Sequence, residues 1–140
     1  MSPTIARSDD LALCLRLRRR VFIEEQGVPE ADEVDGRDHE AVHLLARVGG
    51  EAVGCARLLT MGTTGKIGRV CVLPAWRGRG VGAALVEAAV ADFAARGGLE
   101  RVRLGAQTHA LGFYARLGFV PDGAEYLDAG ILHRDMVRAL

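Results

Sequence analysis

The chain has 140 residues, 18 Lys and Arg against 18 Asp and Glu, and 49% hydrophobic residues. That length supports one domain with its own core, without disulfide or metal staples. Zero net charge argues against a general nucleic-acid binder or a polybasic membrane binder.

Met1 to Asp10 are polar and hold no signal-peptide apolar region. The most apolar stretch, Val81 to Ala95, is interrupted by Glu87 and Asp92, so no bilayer span is expected. Three dispersed cysteines (Cys14, Cys55 and Cys71) fit neither a disulfide framework nor a CxxC metal site, and read as small buried residues. The expectation is a single cytoplasmic domain over residues 1–140.

In chain order, Thr4–Arg7 reads as a short strand. Ser8 is placed to cap a helix over 9–26, on which Leu11, Cys14, Leu15 and Phe22 recur at helical spacing. Arg18 lies on that same stripe, an odd place for a charge without a partner or ligand. Gly27, Pro29 and an acidic run then form a loop. From Glu24 to Glu40 there are eight acids and one base, Arg37, a local balance of −7; from Lys66 to Arg79 there are four bases and no acid. Charge alone favours a solvated loop, although two sub-sites of opposite sign also fit.

Ala41–Val48 and Glu51–Leu59 flank Gly49-Gly50, a loop of the type that closes hairpins. Lys66–Leu73 is a third strand, Gly80–Arg96 a helix stopped by Gly97-Gly98, and Leu99–Ala106 a further strand. Thr108–Leu117 reads as a helix and Ile131–Val137 as the last strand. Antiparallel hairpins followed by one strand–helix–strand unit predict a mixed sheet.

Three motifs bear on chemistry. Arg77-Gly78-Arg79-Gly80-Val81-Gly82-Ala83 lies between a strand and a helix, where glycine backbone and a helix N-terminus together cradle a phosphate or diphosphate. Gly78, Gly80 and Ala83 also spell a dinucleotide fingerprint, but Pro74 to Arg77 separate it from the strand end and only one strand–helix–strand unit follows. Gly65-Lys66 lacks the first glycine and the Ser/Thr of a Walker motif. Second, His39-Glu40-Ala41-Val42-His43 spells HExxH, a zinc signature on a helix. Here the segment mirrors its hairpin partner, and on a strand the histidines stand roughly 13 Å apart, too far for one metal. Third, Tyr114 falls in a short helix after the second strand of the phosphate-binding unit, where its hydroxyl is a candidate general acid.

The pair of segments Arg77–Gly82 and Gln107–Phe119 resembles two motifs of the GNAT superfamily of acetyl-CoA-dependent N-acetyltransferases. They are the R/Q-x-x-G-x-G/A loop and N-x-x-A-x-x-F-Y-x-x-x-G-F, with Gln107 in place of Asn. Arg18-x-x-Val21-Phe22-x-x-Glu25-Gln26, with Glu33, Asp35 and Asp38 beyond, resembles a compact bacterial subgroup and also acyl-homoserine-lactone synthases, which lack the arginine–glycine loop. The resemblance covers essentially the whole chain. It implies an α/β (α+β mixed) domain with antiparallel N-terminal hairpins, one parallel splayed strand pair and helices on both faces.

It also implies a reaction: acetyl-CoA as co-substrate, a small-molecule or peptide primary amine as acceptor, direct attack in a ternary complex, and a homodimer as an allowed assembly. Cofactor binding falls on Val70, Cys71, Val72, Arg77, Gly78, Arg79, Gly80, Val81, Gly82, Ala83, Gln107 and Tyr114. Acceptor binding falls on Arg18, Phe22, Glu33, Asp35, Asp38, His43, Arg69 and His133. Tyr114 is the expected acid. The strand before the loop, Lys66-Ile67-Gly68-Arg69, lacks the family's glutamate, so Glu24, Glu25, His43 and His133 are the base candidates, with Glu25 foremost. A non-catalytic acyl-CoA sensor on the same fold is the alternative; it would need the loop but not Tyr114. No metal is expected.

Overall fold

A computed structural model describes residues 2–140; Met1, the first residue of the expected domain, lies outside the described residues. Its strands are β1 (Thr4–Arg7), β2 (Val42–Val48), β3 (Glu51–Met61), β4 (Thr64–Val72), β5 (Arg101–Gln107), β6 (Val120–Pro121), β7 (Tyr126–Asp128) and β8 (Ile131–Ala139). They form one sheet in the order β1-β2-β3-β4-β5-β8-β6, with β7 paired to β8. Among the described residues only β4 and β5 run parallel; every other pairing is antiparallel.

The β2–β3 hairpin closes at Gly49-Gly50, both at positive φ (58° and 84°), as a two-residue turn matched to strand twist demands. β3 runs to Met61, beyond the predicted Leu59, and turns directly into β4 through Gly62-Thr63.

Helices cover both faces. Helix α3 (Val81–Arg96) buries Val81, Leu85, Val86, Ala89 and Phe93 against Leu44, Leu58, Ile67, Val102 and Leu104 of the sheet. Helix α1 (Leu11–Arg18) lies on the other face, where Cys14, Leu17 and Val21 meet Leu45, Cys55 and Cys71. The short helix α4 (Leu111–Arg116) follows a single 3₁₀ turn, Thr108–Ala110.

The first helix and the acidic loop also differ from expectation. Asp10, not Ser8, caps α1: its carboxylate accepts from the Leu13 N–H, while the Ser8 hydroxyl accepts from the Asp10 N–H. The predicted helix over 9–26 continues past Arg18 as a π-helical segment, Arg19–Glu25, with the Gln26 N–H bonded five residues back to Val21. Wider turns re-aim its side chains, and such segments concentrate at functional sites. The acidic loop contains helix α2 (Glu30–Glu33) and a 3₁₀ turn, Asp38–Glu40. That turn carries His39 and β2 carries His43, so the HExxH segment does not form one α-helix.

Candidate active site

Parallel pairing of β4 with β5 holds only from Thr64/Arg101 to Ile67/Leu104; beyond that the strands part. The divergence begins where β4 bulges against β3, between the Cys55/Cys71 and Arg57/Gly68 pairs. Arg69 sits in that bulge at φ 53°, a strained conformation for a non-glycine residue. The last three residues of β5 and the second half of β4 thus border a gap in the sheet. The Leu73 N–H donates to Val53 O at 2.8 Å in β3. By strand alternation the Val72 N–H therefore faces the gap.

The arginine–glycine loop follows at the end of β4. Gly78 and Gly80 both take positive φ (74° and 82°), and no atom lies within 4 Å of where their side chains would begin. Gly80 is also the N-cap of α3, without side-chain capping. The first α3 N–H groups and this open backbone are unpaired donors of the kind that accept an anion. Gly82 is instead confined: a Cβ there would stand 3.4 Å from the Phe113 ring and 3.8 Å from Val72, so α3 and α4 approach closely at the gap.

Both loop arginines are held. The Arg79 guanidinium lies 5.1 Å over the Trp76 ring. Arg77 Nε donates to Val72 O at 3.0 Å, and its two terminal nitrogens fork onto Glu25 at 2.6 and 2.7 Å. That pairing holds the Glu25 carboxyl below its ordinary range. In this state Glu25 is a poor base.

Tyr114, on α4, packs edge-on against Phe113 and Phe119 with ring centroids 4.9 and 6.1 Å away. Burial alone pushes its pKa up to about 12, and its hydroxyl has no hydrogen-bond partner among the described residues. A tyrosine kept only for packing would ordinarily tie its hydroxyl to a neighbour. This one remains a protonated, uncommitted donor at neutral pH.

The family model for an acetyltransferase (GNAT) domain matches residues 14–140. The chain belongs to the GNAT acetyltransferases. It is 36% identical to an uncharacterized N-acetyltransferase, YjcF, of Bacillus subtilis (strain 168), over 99% of each chain. An acyl-CoA N-acyltransferase from Pseudomonas aeruginosa is 34% identical, with TM-score 0.84 over 99% of this chain and 100% of that one. Escherichia coli ElaA is 32% identical, with TM-score 0.83 over 98% of each. The GNAT fold serves acyl transfer from acyl-CoA.

The GNAT domain's acidic segment is neither the solvated loop that charge alone favours nor an open subsite for a cation: Glu33 and Asp38 are buried. Arg18 is 1% exposed and is bonded to Glu33, to Asp38 at 2.7 Å and to the Glu33 carbonyl. Arg57 on β3 forks onto Asp35 at 2.8 and 2.9 Å and reaches Asp38 at 3.3 Å. Arg69 binds the Asp32 and Glu33 carbonyls and reaches Asp35. Burial by itself would lower the Arg18 pKa, but its bonds to Asp38 and Glu33 outweigh that and raise it. The Arg57 contact holds Asp35 well below its usual range; Asp38 is also lowered, since its arginine partners outweigh burial.

Arg18, Glu33 and Asp38 are thus buried and bonded to one another, which corrects their assignment to acceptor binding. His43 is corrected likewise. It is buried on β2 with Nε2 against the Asp38 carbonyl at 2.9 Å, bracing the 3₁₀ turn. Asp35 and Arg69 keep partial exposure at the rim of the network, and Phe22 is half-buried beside the α1-side core.

Among the other base candidates, Glu24 is exposed and faces Arg19 at 4.0 Å. His133 is in register with Gln107 across β5 and β8. Its Nδ1 donates to the Ile131 carbonyl at 2.7 Å, which fixes the ring orientation. Its ring stacks on Tyr126, 5.9 Å between centroids.

Sequence reasoning left Arg57, Gln26 and His109 without roles. Arg57 carried a signal, a lone charge in an apolar strand. Gln26 and His109 carried none, because each acts through Gln107, which donates to Gln26 at 3.0 Å while His109 Nε2 lies 2.8 Å from its carboxamide oxygen.

Proposed function

We propose that this GNAT protein transfers an acetyl group from acetyl-CoA to a primary amine by direct attack in a ternary complex, in the cytoplasm. The observation that carries this reading is the parting of β4 from β5 directly ahead of the open backbone at Gly78 and Gly80. A strand gap leading to an anion site suits a long thiol carrier that ends in a diphosphate.

In this reading the N–H groups of residues 78 to 83 hold the diphosphate, with Arg77 and Arg79 adding positive field. The Val72 N–H, facing the gap, donates to the thioester oxygen as negative charge develops there. Val70 and Val72 line the β4 wall by their backbone, and Cys71 lies behind them in the α1-side core. The attacking nitrogen forms the new bond to the acyl carbon as the carbon–sulfur bond breaks. Tyr114 gives its proton to the departing sulfur. His133, opposite Gln107 in the β5–β8 pairing, takes the proton that the amine must lose, directly or through one water. The acceptor then lies between the β5–β8 ends and the rim formed by Phe22, Asp35 and Arg69.

The decisive experiment adds millimolar acetyl-CoA to the protein and follows the melting temperature. Ligand bound only by the folded state raises it by mass action. Arg77→Ala with Arg79→Ala should remove most of the shift. No shift in the wild-type protein would overturn the reading.

A further inference from the structure

The Glu25–Arg77 ion pair joins two parts of the protein with different tasks. Arg77 opens the loop assigned to the diphosphate, and Glu25 ends the π-helical segment on the opposite side of the gap. The pair is bidentate, which is the geometry by which a guanidinium also grips a phosphate. A carboxylate therefore occupies the fork that a diphosphate would use. Both side chains are partly exposed (42% for Arg77 and 38% for Glu25), so a competing anion in solution can reach them.

The surroundings keep each partner in place when the other leaves. Arg77 Nε stays on the Val72 carbonyl, which aims the terminal nitrogens at the gap. Gln26, the next residue after Glu25, is tied to Gln107 at the end of β5. Helix end and loop are thus fixed independently of the ion pair. The pair can open without moving either one.

We propose that Glu25 is an internal stand-in for the diphosphate: it holds the Arg77 fork in the empty protein and is displaced when the acyl-CoA diphosphate takes that fork. This deepens the acyl-CoA reading and rests on it. Displacement leaves a carboxylate without its partner at the mouth of the gap only when donor is bound. Glu25 thereby competes with the donor for the Arg77 fork.

The test is calorimetric titration of coenzyme A into the wild-type protein, Glu25→Gln, Arg77→Ala and the double variant, with the melting temperature of each measured without ligand. Glutamine keeps the shape and removes the charge. An exposed pair of this kind contributes little, so Glu25→Gln should bind coenzyme A about two- to five-fold more tightly at low salt, with the gain shrinking as salt rises. The gain should vanish in the Arg77→Ala background, because the competitor acts through that one guanidinium. A Glu25→Gln protein that binds equally or more weakly, or a gain that survives in Arg77→Ala, overturns the proposal. Failure of the wild-type protein to bind coenzyme A would instead sink the acyl-CoA reading itself, so the two failures are separable.

Discussion

Gln26 Oε1 accepts a hydrogen bond from Gln107 Nε2 at 3.0 Å, joining residues 81 apart in sequence across the gap where β4 leaves β5. The contact makes the end of the π-helical segment a wall of the cleft rather than a cover over the sheet. It also fixes the Gln107 carboxamide, whose oxygen receives His109 from the other side. A cleft of set width follows, bounded by α4 and its tyrosine on one flank.

Tyr114→Phe tests that flank. The ring and its packing on Phe113 and Phe119 remain, and no protein hydrogen bond is lost among the described residues. The melting temperature and coenzyme A affinity should stay near wild type. Loss of a general acid should lower kcat by about 10²–10⁴-fold. A wild-type kcat would return Tyr114 to a packing role.

Arg18→Met should be the most damaging single change to the ion network. It leaves Glu33 and Asp38 buried without their principal cation, a situation that costs roughly 3–5 kcal/mol. Arg19→Ala, one residue later, removes only exposed pairs with Glu24 and Glu30 and should cost under about 1 kcal/mol. Urea denaturation of the two variants measures the contrast; equal midpoints would refute it.

The same network sets the acid limit. Asp35 and Asp38 have folded-state pKa values below those of the unfolded chain, so the folded protein binds fewer protons as pH falls. Their stabilisation is complete above the unfolded carboxylate range, near pH 4–5, and is lost progressively as pH drops toward the folded values. Denaturant midpoints should hold steady from pH 7 to about 5 and fall steeply below about 4. Asp35→Asn should flatten that fall.

Gly65→Ala should destabilise without touching the site. A Cβ at Gly65 would lie 2.6–2.8 Å from Phe93 ring atoms in the α3-side core. Overpacking of this kind costs about 1–3 kcal/mol, and Phe93→Leu in the same chain should recover part of it. Additive losses in the double variant would show that the two positions do not compete for space.

Legibility in the sequence divides along physical lines. Gly49-Gly50, the α3 stripe of Leu85, Ala89 and Phe93, and the alternating glycines of Arg77–Gly82 are local signals, and each falls in the expected element. Residues 120–128 form two strands of two and three residues, too short for any period to show, and they exist because β8 offers them a partner. The acidic run illustrates a different limit. Its −7 balance is a property of the chain, whereas its neutralisation by Arg18, Arg57 and Arg69 depends on which strands and helix are brought beside it. The oddly placed Arg18 did signal a buried partner, but sequence alone left open whether that partner was a ligand or the protein.

The three cysteines give the molecule a silent background. Cys14, Cys55 and Cys71 are 0%, 1% and 4% exposed, and hydrogen bonding with the Cys14 and Cys71 thiols, then burial, pushes the Cys55 pKa well up. Thiol reagents act on exposed thiolates, so the folded chain should be inert to an aromatic disulfide while free coenzyme A reacts at once. Thiol release from acyl-CoA can therefore be followed continuously in the presence of the protein, and any slow extra signal counts molecules that have unfolded.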